Sequence, residues 1–131
     1  MKKLMMVGVV SACLMVLSAG VFGQIRERVR FPAGTHGTSK AGTVRGYAYR
    51  DYVVGASAGQ TINLHLTATE SATVFSVFLP NGNDLDAAIE SDDFSGELPK
   101  SGDYVVRVMM MRSAARRKGS VSNFTLKISI R

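Results

Sequence analysis

A chain of 131 residues has room for one domain with a single modest core, and its apolar fraction of 46% is ordinary for a globular protein. Disorder and a multispan membrane protein are therefore excluded as classes. The formal charge is +6 and Cys13 is the only cysteine, so an acidic partner is expected and a disulfide framework is not.

Residues 1–23 read as an export signal and stand apart from the fold. Lys2 and Lys3 form a positive n-region, Leu4 to Phe22 is almost free of polar side chains, and small residues offer cleavage after Gly20 or Gly23. The apolar run nearly reaches the ~20 residues of a membrane span, which makes a transmembrane anchor the competing reading. The small-residue exit favours cleavage, and the bacterial style of the segment points to the periplasm. Val10-Ser11-Ala12-Cys13 has the form of a lipobox, but the apolar run continues past the cysteine, where a lipidation site should end it. Residues 24–131 are then one cysteine-free domain, held by core packing and not inserted in a membrane. Without Lys2 and Lys3 the balance is 14 basic residues against 10 acidic, a net +4. Six acids and no base lie between Asn81 and Leu98, while eight bases and only Asp103 lie from Lys100 onward. This split predicts one acidic flank and one basic face.

The elements follow in order. Ile25 to Phe31 reads as a strand with Val29 and Phe31 inward and Arg28 and Arg30 outward. Pro32 to Gly42 is rich in Gly, Ser and Thr and reads as a loop. Thr43 to Tyr49 alternates, with Arg45, Tyr47 and Tyr49 on one face; Tyr52 to Val54 continues a strand, and Gly55 to Gly59 turns the chain. Thr61 to Ala68 alternates cleanly, Ile62, Leu64, Leu66 and Ala68 inward. Thr73 to Leu79 is apolar on both faces and reads as a central strand bounded by Pro80-Asn81-Gly82. Asp84 to Ser91 allows one short helical turn. Pro99 and Gly102 bracket a turn, after which Asp103 to Arg112 is a strand with Tyr104, Val106, Val108 and Met110 on one face and Arg107 on the other. Ser113 to Ser120 is its basic connection, and Phe124, Leu126, Ile128 and Ile130 mark a last amphipathic strand. Six to eight short strands with no long helical period predict an all-β chain, an antiparallel sandwich or barrel with at most a short helical turn.

The search for chemistry finds no catalytic constellation. No cysteine nucleophile remains after residue 23, and His36 and His65 fall in a loop and on an outward strand face. Asp84-Leu85-Asp86 and Asp92-Asp93 lack the spaced ligands of a calcium loop, so neither a metal nor another cofactor is expected. The arginines carry more. Arg107, on a strand's outer face, has the position of a residue paired across the sheet. Arg112 and Arg116 lie where the strand gives way to a loop, and a guanidinium fork matches a carboxylate or phosphate.

These residues lie in a spaced pattern, Ser101-Gly102-x-Tyr104-x-x-Arg107-Val108-x-x-x-Arg112-x-x-Ala115-Arg116. The pattern resembles the signature of the periplasmic inhibitors of goose-type (g-type) lysozyme, with every specified position present. Weaker similarity extends to Gly46-Tyr47-x-Tyr49, to Gly59-Gln60 before a strand, and to the final strand. The chain is expected to be monomeric or weakly associated and, lacking a catalytic constellation, not an enzyme; the resemblance implies a β-sandwich that plugs the lysozyme's substrate cleft with loop side chains. It implies binding through Tyr47, Ser101, Gly102, Tyr104, Arg107, Arg112 and Arg116, with Ser101, Arg112 and Arg116 in the cleft, Tyr47 helping, and Tyr104 and Arg107 partly scaffold. It does not specify the acidic stretch 81–97. Two other classes stay open: a secreted binding module like the pre-peptidase C-terminal domains, and a binder of anionic polymer (nucleic acid or lipopolysaccharide) through the basic C-terminal third. Phosphate neutralisation would show in the latter as a sharp loss of affinity with salt.

Overall fold

The computed structural model describes residues 25–131, so the expected signal segment, its cleavage points and Cys13 lie outside the described residues. Eight strands form two four-stranded sheets: β1 (Ile25–Arg28), β2 (Gly37–Arg45), β3 (Arg50–Ala56), β4 (Thr61–Ala68), β5 (Thr73–Phe78), β6 (Asp93–Glu97), β7 (Gly102–Met110) and β8 (Val121–Ile130). One sheet has the order β1-β3-β7-β5 and the other β2-β8-β4-β6. All neighbours are antiparallel except β1 and β3. A single 3-10 turn (Asp86–Ala88) and a four-residue helix, α1 (Arg112–Ala115), complete the all-β architecture.

Alternation places the core. Tyr52 and Val54 of β3, Phe75 and Val77 of β5, and Tyr104, Val106, Val108 and Met110 of β7 face Ile62, Leu64 and Leu66 of β4 and Phe124, Leu126, Ile128 and Ile130 of β8. Cross-strand register stacks these residues in rows, as in Val54 beside Tyr104 and Leu64 beside Ile128. Tyr52 meets Phe124 across the core edge to face, 6.3 Å between ring centroids. A buried hydrogen bond from Thr73 Oγ1 to Ser122 Oγ, 2.6 Å, joins the sheets near the end of β5.

Four expectations change. β1 stops at Arg28; Val29 is buried as expected and Phe31 packs against the core, but outside the strand. The expected loop Pro32–Gly42 is half strand, because β2 begins at Gly37. Gly42 stands opposite Phe124, and a Cβ there would lie 2.7 Å from the phenyl ring; the ring fills the space that a glycine leaves. β2 ends at Arg45, so Tyr47 sits in a turn rather than on a strand. β5 is buried on both faces but is the outermost strand of its sheet, not a central one. The acidic segment covers its free edge instead: Phe75 exchanges backbone bonds with Ser91, and Leu85 N–H donates to Val77 O. The expected helical turn is present at Asp86–Ala88, and part of the acidic flank is β6.

Two buried tyrosines differ in their polar ends. The Tyr104 hydroxyl donates to Lys100 O (2.6 Å) and accepts Lys100 N–H (3.0 Å), fastening the turn before β7. The Tyr52 hydroxyl lies near Arg50, yet neither it nor Arg50 Nε completes a hydrogen bond. Burial pushes the Tyr52 hydroxyl above the ordinary tyrosine pKa, with Arg50 pulling the other way. Tyr104→Phe should therefore cost about 1–3 kcal/mol in urea unfolding, while Tyr52→Phe should change stability by no more than about 0.5 kcal/mol. A raised folded pKa leaves stability intact below the unfolded value of about 10 and withdraws it as pH rises above that value. Tyr52→Phe should flatten this alkaline fall.

Candidate functional site

β7 runs the length of its sheet, paired with β3 from Gly102–Ala56 to Val108–Arg50 and with β5 up to Met110–Thr73. At a rise of about 3.3 Å per residue, the eight steps along its nine residues separate its two ends by about 26 Å. Ser101 and Gly102 lie at one end, Arg112 and Arg116 at the other. The seven expected site residues thus do not form one cluster.

The Ser101 end is internally satisfied. Ser101 Oγ accepts Ala58 N–H at 2.8 Å, tying the 98–102 turn to the 57–60 loop. Gly102 has φ +140°, and a Cβ there would lie 2.9 Å from Pro80; both the backbone and the neighbouring proline require glycine. Tyr104 is fully buried, so it shapes this end from inside.

Arg107 lies midway along β7 on the outer face of its sheet. Opposite it in register is Asp51, whose side chain is only 5% exposed. Arg107 grips this carboxylate with two parallel hydrogen bonds, Nε to Oδ1 at 2.8 Å and a terminal nitrogen to Oδ2 at 3.1 Å. Its guanidinium lies 3.8 Å from the centre of the Tyr49 ring and 5.0 Å from that of Phe78. The hydrogen bond to Asp51 raises the Arg107 pKa above its ordinary value. Arg26, 63% exposed, adds a longer bond of 3.3 Å to Asp51.

The other end has a different character. The turn at Gly46-Tyr47 docks on the 115–120 segment, with Gly46 N–H donating to Ser120 O (3.0 Å) and Ser120 Oγ donating to Ala115 O (3.2 Å). Ala114 and Ala115 are buried, so the expected basic loop is a helical turn plugged into the core. Arg112 and Arg116 face solvent on it, and neither side chain has an ion pair or hydrogen bond among the described residues. Tyr47 is 65% exposed beside them, and Met111 and Val121 are also exposed. The stretches 45–49, 69–72 and 111–121 hold five bases and one acid, Glu70, which Arg117 engages at 3.1 Å. The acids of 84–97 run along the edge of β5 and on β6, but the bases from Lys100 onward are spread over both ends of β7 and over β8, with Lys127 in the same row as His65 and Asp93, so the expected single basic face does not form. No sequence signal marked Arg117 as paired, because Glu70 is distant in the chain. Among the described residues no three His, Cys, Asp or Glu side chains gather to hold a metal, and no helix is long and apolar enough to cross a membrane.

Arg107→Ala should cost about 2–4 kcal/mol of stability, because it strips a buried carboxylate of its main partner. Arg26→Ala, losing one exposed contact, should cost under about 1 kcal/mol, and chemical denaturation of both variants measures the difference.

No protein-family model and no curated protein matches the chain. Among solved structures it is similar to Aeromonas hydrophila PliG, a periplasmic lysozyme inhibitor of g-type lysozyme, at 29% identity and TM-score 0.75 over 83% of this chain and 98% of that one. Salmonella Typhimurium PliG, described in the same words, matches at 25% identity and TM-score 0.66 over 81% and 97%. The pre-peptidase C-terminal domain of a Bacillus anthracis collagenase, at 13% identity and TM-score 0.51 over 81% and 94%, shares the fold alone. The resemblance to the periplasmic inhibitors of g-type lysozyme thus extends from one motif to the whole sandwich.

Proposed function

We propose that the chain is a periplasmic, monomeric inhibitor of g-type lysozyme and not an enzyme, and that it enters the lysozyme's substrate cleft with its Tyr47–Arg112–Arg116 end. Its similarity to the PliG inhibitors, by sequence as well as fold, supports the partner class. One observation carries the choice of end: Arg112 and Arg116 stand unpaired beside an exposed tyrosine on a rigid, docked turn. Tyrosine, methionine and arginine with few acids is the composition of a protein-binding surface.

The mechanism follows from the partner's chemistry. A glycosidase cleft presents carboxylates on either side of the scissile bond, and one of them must remain able to give up a proton. A guanidinium that reaches such a carboxylate forms a charge-assisted bidentate pair and occupies the sugar's place. Tyr47 adds contact area with only two side-chain torsions to freeze. Because α1 is seated in the core, little ordering entropy is lost on binding. In this reading Ser101, Gly102, Tyr104 and Arg107 brace β7 and set where the contact end stands. A partner that also touches Ser101 would have to follow the whole length of β7.

Clearing of a cell-wall suspension by goose-type lysozyme should stop at an excess of the exported protein, while chicken-type lysozyme should be spared. Undiminished clearing by the goose-type enzyme would refute the proposal. Truncating one partner of an interfacial charge pair costs ~2–5 kcal/mol. Arg112→Ala or Arg116→Ala should accordingly weaken inhibition by roughly one to three orders of magnitude, at about 1.4 kcal/mol per tenfold. Arg112→Lys should also be impaired, Ser101→Ala much less so, and Lys118→Ala should serve as the charge control. An equal loss in Arg112→Ala, Arg116→Ala and Lys118→Ala, absent from Arg112→Lys and relieved by salt, would favour an anionic-polymer type of attraction instead.

A further inference from the structure

A hollow of about 330 Å3 lies beside the proposed contact end, between the turn after β2 and the segment that leads into β8. Arg45 and Gly46 line one side, and Arg117, Gly119, Ser120 and Val121 the other. Its two guanidinium groups are in different states. Arg117 is held by Glu70, which fixes its position and balances its charge. Arg45, the last residue of β2, makes no ion pair or side-chain hydrogen bond among the described residues. The walls are pinned together by the bond from Gly46 N–H to Ser120 O and by the pairing of Arg45 with Val121. The hollow is therefore shaped before anything enters it, with one uncompensated positive charge. Val121 contributes an exposed apolar wall.

We propose that this hollow is a second anion-acceptor point, in which Arg45 takes a carboxylate side chain of the protein partner while Arg117, positioned by Glu70, forms the opposite wall. The inference rests on the reading of the chain as a lysozyme inhibitor and adds to it a recognition residue outside the Ser101-to-Arg116 pattern. A carboxylate fits better than a bulky polyanion, because the space is small and only one of its two guanidinium groups is without a carboxylate of this chain. The site would act through specificity: a partner with an uncharged residue at that place would leave Arg45 facing a void and be bound more weakly.

The test measures binding and inhibition of goose-type lysozyme by the parent protein, Arg45→Ala, Arg45→Lys and Lys118→Ala at two salt concentrations. Arg45→Ala should weaken affinity about tenfold to a hundredfold, mostly through faster dissociation, as for a contact at close quarters. Arg45→Lys should recover part of this, and Lys118→Ala should change affinity less than about threefold, through the association rate. Arg45→Ala equal to the parent, or Arg45→Ala and Lys118→Ala reduced alike and only in association, would overturn the inference while the inhibitor reading stands. A parent protein that fails to bind the lysozyme would remove both. Thermal unfolding of each variant separates a lost contact from a lost fold, and Arg45→Lys keeps the experiment decisive if Arg45→Ala unfolds.

Discussion

Two sheets bury their apolar faces against each other, and nothing covalent helps them, because residues 25–131 contain no cysteine. Everything else in the molecule depends on that packing. β7 is central to it: it pairs with both β3 and β5 and sends Tyr104, Val106, Val108 and Met110 into the core. The loops at its two ends are extensions of the same packing. Leu98 and Tyr104 anchor one end, and Ala114 and Ala115 anchor the other. A connection seated in this way holds its exposed side chains near one geometry, which is the property an inhibitor needs and a draped loop lacks.

The arginines divide along a physical line. Arg26, Arg28, Arg107 and Arg117 each engage a carboxylate of this chain, on Asp51, Asp103, Asp51 and Glu70 respectively. Arg107 goes furthest, since its partner is buried and its flat face rests on an aromatic ring. Such a residue has few donors left for another molecule. Among the described residues Arg45, Arg112 and Arg116 have no such internal partner and lie at one end of the sandwich; Arg30, Arg50 and Arg131 also lack a carboxylate partner, and Arg131 stands at the opposite end of β8. A positive patch without local acids repels itself slightly, and the fold tolerates this because the charges stay in water.

Strands with one clean apolar face were legible in the sequence. Thr61 to Ala68 has the bounds of β4, with Ile62, Leu64 and Leu66 inward as expected but Ala68 exposed at its end, and the inward sets of β7 and β8 agree with the alternation. What escaped were strands whose alternation is broken by small residues. β2 carries Gly37, Ser39 and Gly42, and its glycine makes sense only once Phe124 is known to lie across from it. β6, Asp93–Glu97, offers one large apolar side chain, Phe94, and is bound mainly by its ladder to β4. The site was legible by type more than by place. Arginine chemistry at the exit of β7 could be read from the chain, whereas the pairing of Arg107 with Asp51 and of Arg117 with Glu70 depends on contacts between segments far apart in sequence.

Spacing explains why the motif overstates the size of a single site. Ser101 and Arg112 are close in sequence, and a short spaced pattern suggests one place in space. In a helix or a tight loop that inference holds; across a nine-residue strand it fails, since each residue moves the chain on by about 3.3 Å. The pattern therefore mixes two kinds of requirement. Gly102 against Pro80, Tyr104 on the Lys100 backbone and Arg107 on Asp51 are conditions for building the sheet and its turn. Arg112 and Arg116 satisfy no condition of that kind, for their side chains touch no partner within the described residues. In the proposed reading, the acidic cleft of the partner lysozyme accounts for their place in the pattern.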